Sequence, residues 1–134
     1  MFVLKSQLDN IRHENDYYKR EELIAGTAKL FGETISRREL KKRAKLWYLA
    51  DHLISAKLLD KLSYSSYIEV RESVAANIHT STDTLEVLLQ DNDFQVRETA
   101  ILNSNSPLSK VSELLNDECE DVREAAQLRL DQIN

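Results

Sequence analysis

The segment VRESVAAN, residues 70–77, returns as VRETAILN at 96–103 and more loosely as VREAAQLR at 122–129. Val70, Val96 and Val122 are therefore 26 residues apart twice over (96 − 70 and 122 − 96). The rest of the pattern moves with them. Leu85, Leu88, Leu89 and Asp91 become Val111, Leu114, Leu115 and Asp117, and Asn77 becomes Asn103. A fixed period in this range marks stacked supersecondary units, each too small to bury its apolar face alone.

Each copy reads as two short helices. Val70, Val74 and Asn77 lie at i, i+4, i+7, and Leu85, Leu88 and Leu89 at i, i+3, i+4, both helical spacings. Between them NIHTST and NSNSP supply residues that turn the chain and cap helices. Ser106 with Pro107 forms a cap and first-turn pair, and Asp93 suits the cap of the following helix. Cys119 takes the equivalent place in the next copy, where Glu120 and Asp121 complement the helix dipole. Only two glycines and one proline occur in 134 residues, which disfavours strands joined by tight turns. Stepping back 26 from Val70 gives Ala44 and Lys45, with Asp51, Ser55, Leu59 and Leu62 at equivalent places. Copies are thus expected to start near 44, 70, 96 and 122, the last a half copy. Residues 1–43 would form an N-terminal helical cap, the whole one compact domain.

The stretch VRESVAANIHTSTDTLEVLLQDNDFQVRETAILNSNSPLSKVSELLND resembles the leucine-rich repeat variant pattern, itself close to HEAT-type helical repeats. Asn77, Thr80, Leu85, Leu88 and Asp91 match it in one copy; Asn103, Ser106, Pro107, Val111, Leu114 and Asp117 match it in the next. Ile78 and Ser104 stand where the family usually has proline, and Ser81 replaces a second one. The resemblance covers about residues 60–130 and implies an all-α fold, a short right-handed α-solenoid of two-helix repeats. It also implies a ladder in which an aspartate at one turn meets an arginine of the next helix. Asp91 precedes Arg97 by six residues and Asp117 precedes Arg123 by six, whereas Ser65 stands six before Arg71. Arg71, Arg97, Arg123, Asp91, Asp117, Asn77 and Asn103 are accordingly read as structural. A phosphate-binding arginine row is the alternative for the arginines. Such stacks mostly serve as interaction surfaces, so fold alone does not name an activity.

Charge is unevenly placed. Residues 1–61 carry 13 Lys+Arg against 9 Asp+Glu, and 62–134 carry 5 against 14. The densest feature is TISRRELKKRAKLWYLADHL, residues 34–53. Ser36 and Glu39 form a capping box with Ile35 and Leu40 as its staple, so a helix should start at Arg37. At 100° per residue Arg37, Arg38, Lys41, Lys42 and Lys45 fall within a sector of ~140°, opposite Leu40, Ala44 and Trp47. Five cations on one face are either a solubilising outer surface or a site for an acidic partner. Upstream, Asn15 or Asp16 could cap a helix ending at Phe31 with Gly32 as its stop, burying Leu23, Ala28, Leu30 and Phe31. Tyr17 and Tyr18 read as an aromatic pair packed at an end, with an exposed pair as the alternative. Residues 4–13 suit another short helix.

No catalytic constellation stands out. His13, His52 and His79 are scattered, no Gly-rich phosphate loop occurs, and acids surround Cys119. One cysteine excludes an internal disulfide and a multi-cysteine metal cage, including the iron–sulfur domain some members of the resembled family carry. Alkylpurine DNA glycosylases are also built from HEAT-like repeats but hold the lesion in a basic cleft; the repeat half here is acidic. No run of ~18 apolar residues occurs, and the first fifteen lack a signal-peptide layout. The expectation is a cytoplasmic, non-enzymatic adaptor or inhibitor that binds a protein partner. No cofactor, metal or small-molecule substrate is expected. A nucleic-acid binder using the basic helix is the alternative.

Overall fold

The computed structural model describes residues 2–32 and 34–132. Among them every regular element is helical: nine α-helices and one 3₁₀ turn. No described helix is long and apolar enough to cross a membrane. The chain divides into two compact units, Met1–Leu49 and Ala50–Asn134.

The first unit holds α1 (Phe2–His13), α2 (Tyr17–Leu30) and most of α3 (Arg37–His52). Leu4, Leu8 and Ile11 are buried along one face of α1, at i, i+4, i+7. On α2 the buried residues are Ile24, Thr27 and Ala28. The expected stripe of Leu23, Ala28, Leu30 and Phe31 is thus corrected: Leu30 is exposed, and only Ala28 of the four is buried. Apolar residues ring this helix, and Thr27 enters the buried face because its hydroxyl donates to the Leu23 carbonyl at 2.7 Å. Asp16 caps α2 by accepting from Lys19 N at 3.0 Å. Gly32, with φ of 62°, ends the helix run in the left-handed conformation that only glycine adopts cheaply. α3 starts at Arg37, where Ser36 Oγ accepts from Glu39 N at 3.1 Å. Arg12 lies 3.8 Å over the buried Trp47 ring and donates to Asp9, which ties α1 to α3.

The second unit contains α4 (Ala56–Leu62), α5 (Ile68–Ala76), α6 (Thr82–Leu88), α7 (Phe94–Leu102), α8 (Leu108–Glu113), the 3₁₀ turn Leu114–Asn116, and α9 (Glu120–Asp131). The bounds of α5 and α7 differ by 26 at both ends (94 − 68 and 102 − 76), and so do those of α4 and α6 (82 − 56 and 88 − 62). Packing is sequential: α5 lies against α7 and α7 against α9, with α4, α6 and α8 packed against their successors. Val70, Val74, Leu85, Leu88, Leu89, Val96, Ile101, Val111 and Val122 form the core, each almost wholly removed from water. None of these helices is long enough to persist alone, so this shared core is what holds them.

Caps recur with the period, and where they differ the sequence explains it. Ser55 caps α4 and Ser81 caps α6, each accepting from the amide three residues on. Pro107 occupies the next equivalent place and caps nothing with its side chain. Ser106, expected as that cap, instead is buried and donates to the Ala100 carbonyl, as Thr80 does to Val74. Asp93 caps α7 through Gln95 N and Val96 N, while Cys119 makes no side-chain cap to α9. The expected boundary at 43/44 falls inside α3. The cap site of α7 at Asp93 maps back to Tyr67 and then to Lys41, and lysine has no oxygen to receive the amides. The helix is therefore nucleated upstream at Ser36, and the division between units comes later, after Leu49.

Leu88 sits in the core while its neighbour Val87 is half exposed. Leu88→Ala should cost ~2–5 kcal/mol in denaturant unfolding. Val87→Ala should stay within about 0.5 kcal/mol, as expected for a surface site.

Candidate functional site

Two constellations in the chain concentrate charge. The first is the arginine row of the second unit. Arg71 Nε donates to Asp91 Oδ2 at 2.9 Å and its Nη2 to Asp91 Oδ1 at 3.2 Å, while Nη1 donates to the Ser65 carbonyl at 2.9 Å. Arg97 repeats this one copy on. Its Nη2 donates to Asp117 Oδ1 at 3.1 Å, and its Nη1 to the Asp91 and Asn92 carbonyls at 2.7 and 3.2 Å. Arg97 Nε stands 3.0 Å from Asp117 Oδ2 but is not aimed for a hydrogen bond, so that contact is ionic. Arg123 Nη1 donates to the Asp117 carbonyl at 2.7 Å.

This corrects the expected pairing. The residue six positions earlier contributes its backbone carbonyl, and the carboxylate comes from 20 residues later (91 − 71 and 117 − 97). Ser65 serves as well as aspartate in the first role, because a carbonyl is all that is needed. Arg71 is therefore no exception. Asp91 and Asp117 also fold back on their own turns, accepting from Asp93 N and Cys119 N at 2.9 Å.

The asparagines cross-link the same copies. Asn103 Nδ2 donates to the Ala75 and Asn77 carbonyls at 2.8 and 2.9 Å, and Asn77 Nδ2 to Ala50 and Leu53, both at 2.9 Å. Each also closes its own turn, Oδ1 accepting from the amide two residues on. Both residues are buried and use donor and acceptor alike inside the chain, which leaves no role for them as ligands. Next to each Val-Arg pair stands a glutamate: Glu72, Glu98 and Glu124. Glu98's carboxyl is held above the usual range, first by partial burial and then by the negative charges of Asp121, Glu72 and Glu124.

The second constellation is on α3. Arg37, Arg38, Lys41, Lys42 and Lys45 are all exposed, and Leu40, Ala44 and Trp47 are buried. Lys41 Nζ lies 2.6 Å from Glu21 Oε1, and that bond raises the lysine's pKa. The other four make no ion pair with a described residue. Tyr48, 41% exposed, lies on the same face. The 26-residue register puts Tyr48 in the place of the buried Val74, and this is corrected: at 100° per residue it falls ~20° from Arg37, on the exposed face. Tyr17 and Tyr18 meet edge to face at 5.5 Å and are 62% and 79% exposed, so the expected packed pair is corrected to an exposed one.

Among the described residues no group of three or more His, Cys, Asp and Glu could hold a metal ion. No protein-family model matches the chain, and no curated protein and no solved structure matches it.

The geometry fixes two outcomes. Arg71→Ala and Arg97→Ala each strand a largely buried aspartate and should cost about 3–5 kcal/mol in equilibrium unfolding. Arg123→Ala strands no such carboxylate and should cost distinctly less. For Glu98 the sign is the reverse of a paired acid. The folded chain binds its proton more tightly than the unfolded one, so stability falls as pH rises through the window just above the ordinary glutamate range. Glu98→Gln should flatten that slope in a pH series of denaturation curves and should not lower stability at neutral pH.

Proposed function

We propose that the chain is a non-enzymatic interaction module, an adaptor or inhibitor, that engages an acidic surface of a protein partner through the α3 stripe. The second unit then serves as a short right-handed α-solenoid of 26-residue repeats, of the leucine-rich repeat variant or HEAT-like kind. In support of the solenoid stand the repeated helix bounds and the hydrogen bonds that recur with them.

One observation carries the functional reading. Arg37, Arg38, Lys42 and Lys45 stand exposed on one helix face without a counter-ion from any described residue. Capping accounts for Ser36 and Glu39, and packing for Leu40, Ala44 and Trp47. The remaining cations repel one another, by a few tenths of a kcal/mol per close pair on a helix. A partner carrying negative charge offsets that repulsion. The arginine row of the second unit is already spent on its own aspartates and carbonyls, which favours the stripe over it.

The second reading, a nucleic-acid backbone on the same stripe, is separated by salt. Five phosphate contacts give a log–log slope of about −4, and binding would be indifferent to protein sequence. The chain's net charge of −5 weighs against long-range attraction of a polyanion.

Affinity capture on the full chain, followed by titration of the purified partner, tests the proposal. The Arg37→Glu/Arg38→Glu/Lys42→Glu variant should keep the parent's circular dichroism spectrum. It should bind that partner at least about tenfold more weakly, or ~1.4 kcal/mol. Equal binding at low salt would reduce the stripe to a solvated face.

A further inference from the structure

Beside the stripe, the first unit encloses a groove of about 530 Å³ between α1, the start of α2 and α3. Its floor is the buried pair Ile11 and Ala44, and its walls carry the exposed Tyr17 and Tyr48. Four cations line it, Arg12, Arg20, Lys41 and Lys45, against one carboxylate, Glu21. Arg12 is committed to Asp9 and Trp47, and Lys41 to Glu21. Arg20 and Lys45 have no carboxylate partner among the described residues. Arg20 is anchored by its Nε, which donates to the Glu14 carbonyl at 3.0 Å, so its terminal nitrogens form a fixed fork. Lys45 pairs with no described residue and is exposed.

We propose that this groove binds an acidic peptide segment in extended conformation, with carboxylates at alternate positions and apolar or aromatic residues between them. The proposal rests on the stripe's reading as a protein-binding surface and names the part of the partner it grips. Three observations lead to it.

The first is spacing. Lys41 and Lys45, both lining the groove, stand four residues apart on α3, a step that rises ~6 Å along the helix. An extended peptide places every second side chain ~6.6 Å along its axis, on one side. Alternate carboxylates therefore keep step with that pair, the one at Lys41 sharing its ammonium with Glu21. The second is the floor. The intervening side chains point the other way, toward Ile11 of α1 and Tyr17 of α2, where apolar area is removed from water. The third is Glu21. It lies inside the groove, where Lys41 occupies one of its acceptor sites and the others can take further donors. A peptide brings an N–H at every residue, whereas a phosphodiester backbone brings none and is repelled. The negative net charge of the chain points the same way, since it favours a short acidic segment recognised locally over a long polyanion.

The test uses the full chain and fluorescein-labelled ten-residue peptides of one composition, read by fluorescence polarisation at low and moderate salt. One alternates Glu with Val and Phe; its isomer has the same residues in two blocks. A labelled oligothymidylate is the third probe. The alternating peptide should bind at least about tenfold tighter than the blocked isomer. Arg20→Glu and Lys45→Glu should each weaken it by about tenfold or more with unchanged circular dichroism. Arg38→Glu/Lys42→Glu, on the far edge of the stripe, should change it less than about threefold. Lys45→Glu decides the matter if Arg20→Glu disturbs folding through its bond to Glu14. Equal binding of the two isomers overturns the groove, as does absence of binding by either. A loss seen only with Arg38→Glu/Lys42→Glu also overturns it, while leaving the stripe reading intact. Tighter binding of the oligothymidylate, abolished by Tyr48→Ala, would assign the groove to single-stranded nucleic acid instead.

Discussion

One side chain in each copy touches three levels of the second unit at once. The arginine after the repeated valine, Arg71 or Arg97, starts in the first helix of its copy. It reaches back to the carbonyl at the preceding turn and forward to the aspartate at the following one. Guanidinium is suited to this because its five donors sit in one rigid plane and it never loses its charge. The pairs are largely shielded from water, with side chains 9–16% exposed. Burying two charges costs several kcal/mol of solvation, and their attraction returns this only when every lone pair nearby is used. The aspartates meet that condition: besides the arginine, each accepts the amide two residues on. The rung thus contributes register more than net stability. A one-residue slip of α7 along α5 would carry Asp91 away from Arg71 and break the carboxylate bond.

The asparagines act from the other end of the same helices. Asn77 and Asn103 bond carbonyls left open where the previous helices end, which have no intrahelical partner. Between rung and asparagine, both ends of each first helix are fixed, the start to its flanking turns and the end to the preceding helix. This explains how helices of nine residues persist. It also explains why the second unit has so little polar chemistry to spare. Its arginines and buried amides are consumed internally, and its remaining charge is mostly carboxylate. The first unit differs: five of its cations stand on one exposed face of α3.

The period, the two helices per copy and the buried positions Val70, Val74, Leu85 and Leu88 were legible from spacing alone, because a helix must repeat its apolar contacts at 3.6 residues. The start of α3 was legible because Ser36 and Glu39 are local signals. What could not be read was direction across copies. An aspartate six residues before an arginine and one twenty residues after are both within reach once helices stack, and sequence distance favours the nearer. The stack favours the farther, since the nearer position already offers a carbonyl. The burial of α2 escaped for a different reason. Its apolar residues are spread around the helix, so identity alone did not choose between Leu23 and Ile24, and Thr27 entered the core through its own backbone bond. Of the groove, Lys41 and Lys45 were visible on α3, but Arg20 and Tyr17 come from another helix and no spacing rule joins them to it.

The rungs also set how the second unit comes apart. The rung and asparagine bonds link helices that are neighbours in the packing order. α7 is gripped on both flanks, by α5 and by α9, and both its own rung and its asparagine are complete. α4 and α9 lie at the margins of this series. Amide hydrogens of the central helix therefore wait for the whole unit to open, while those at the margins exchange through local fraying, and the 26-residue period becomes a gradient in time.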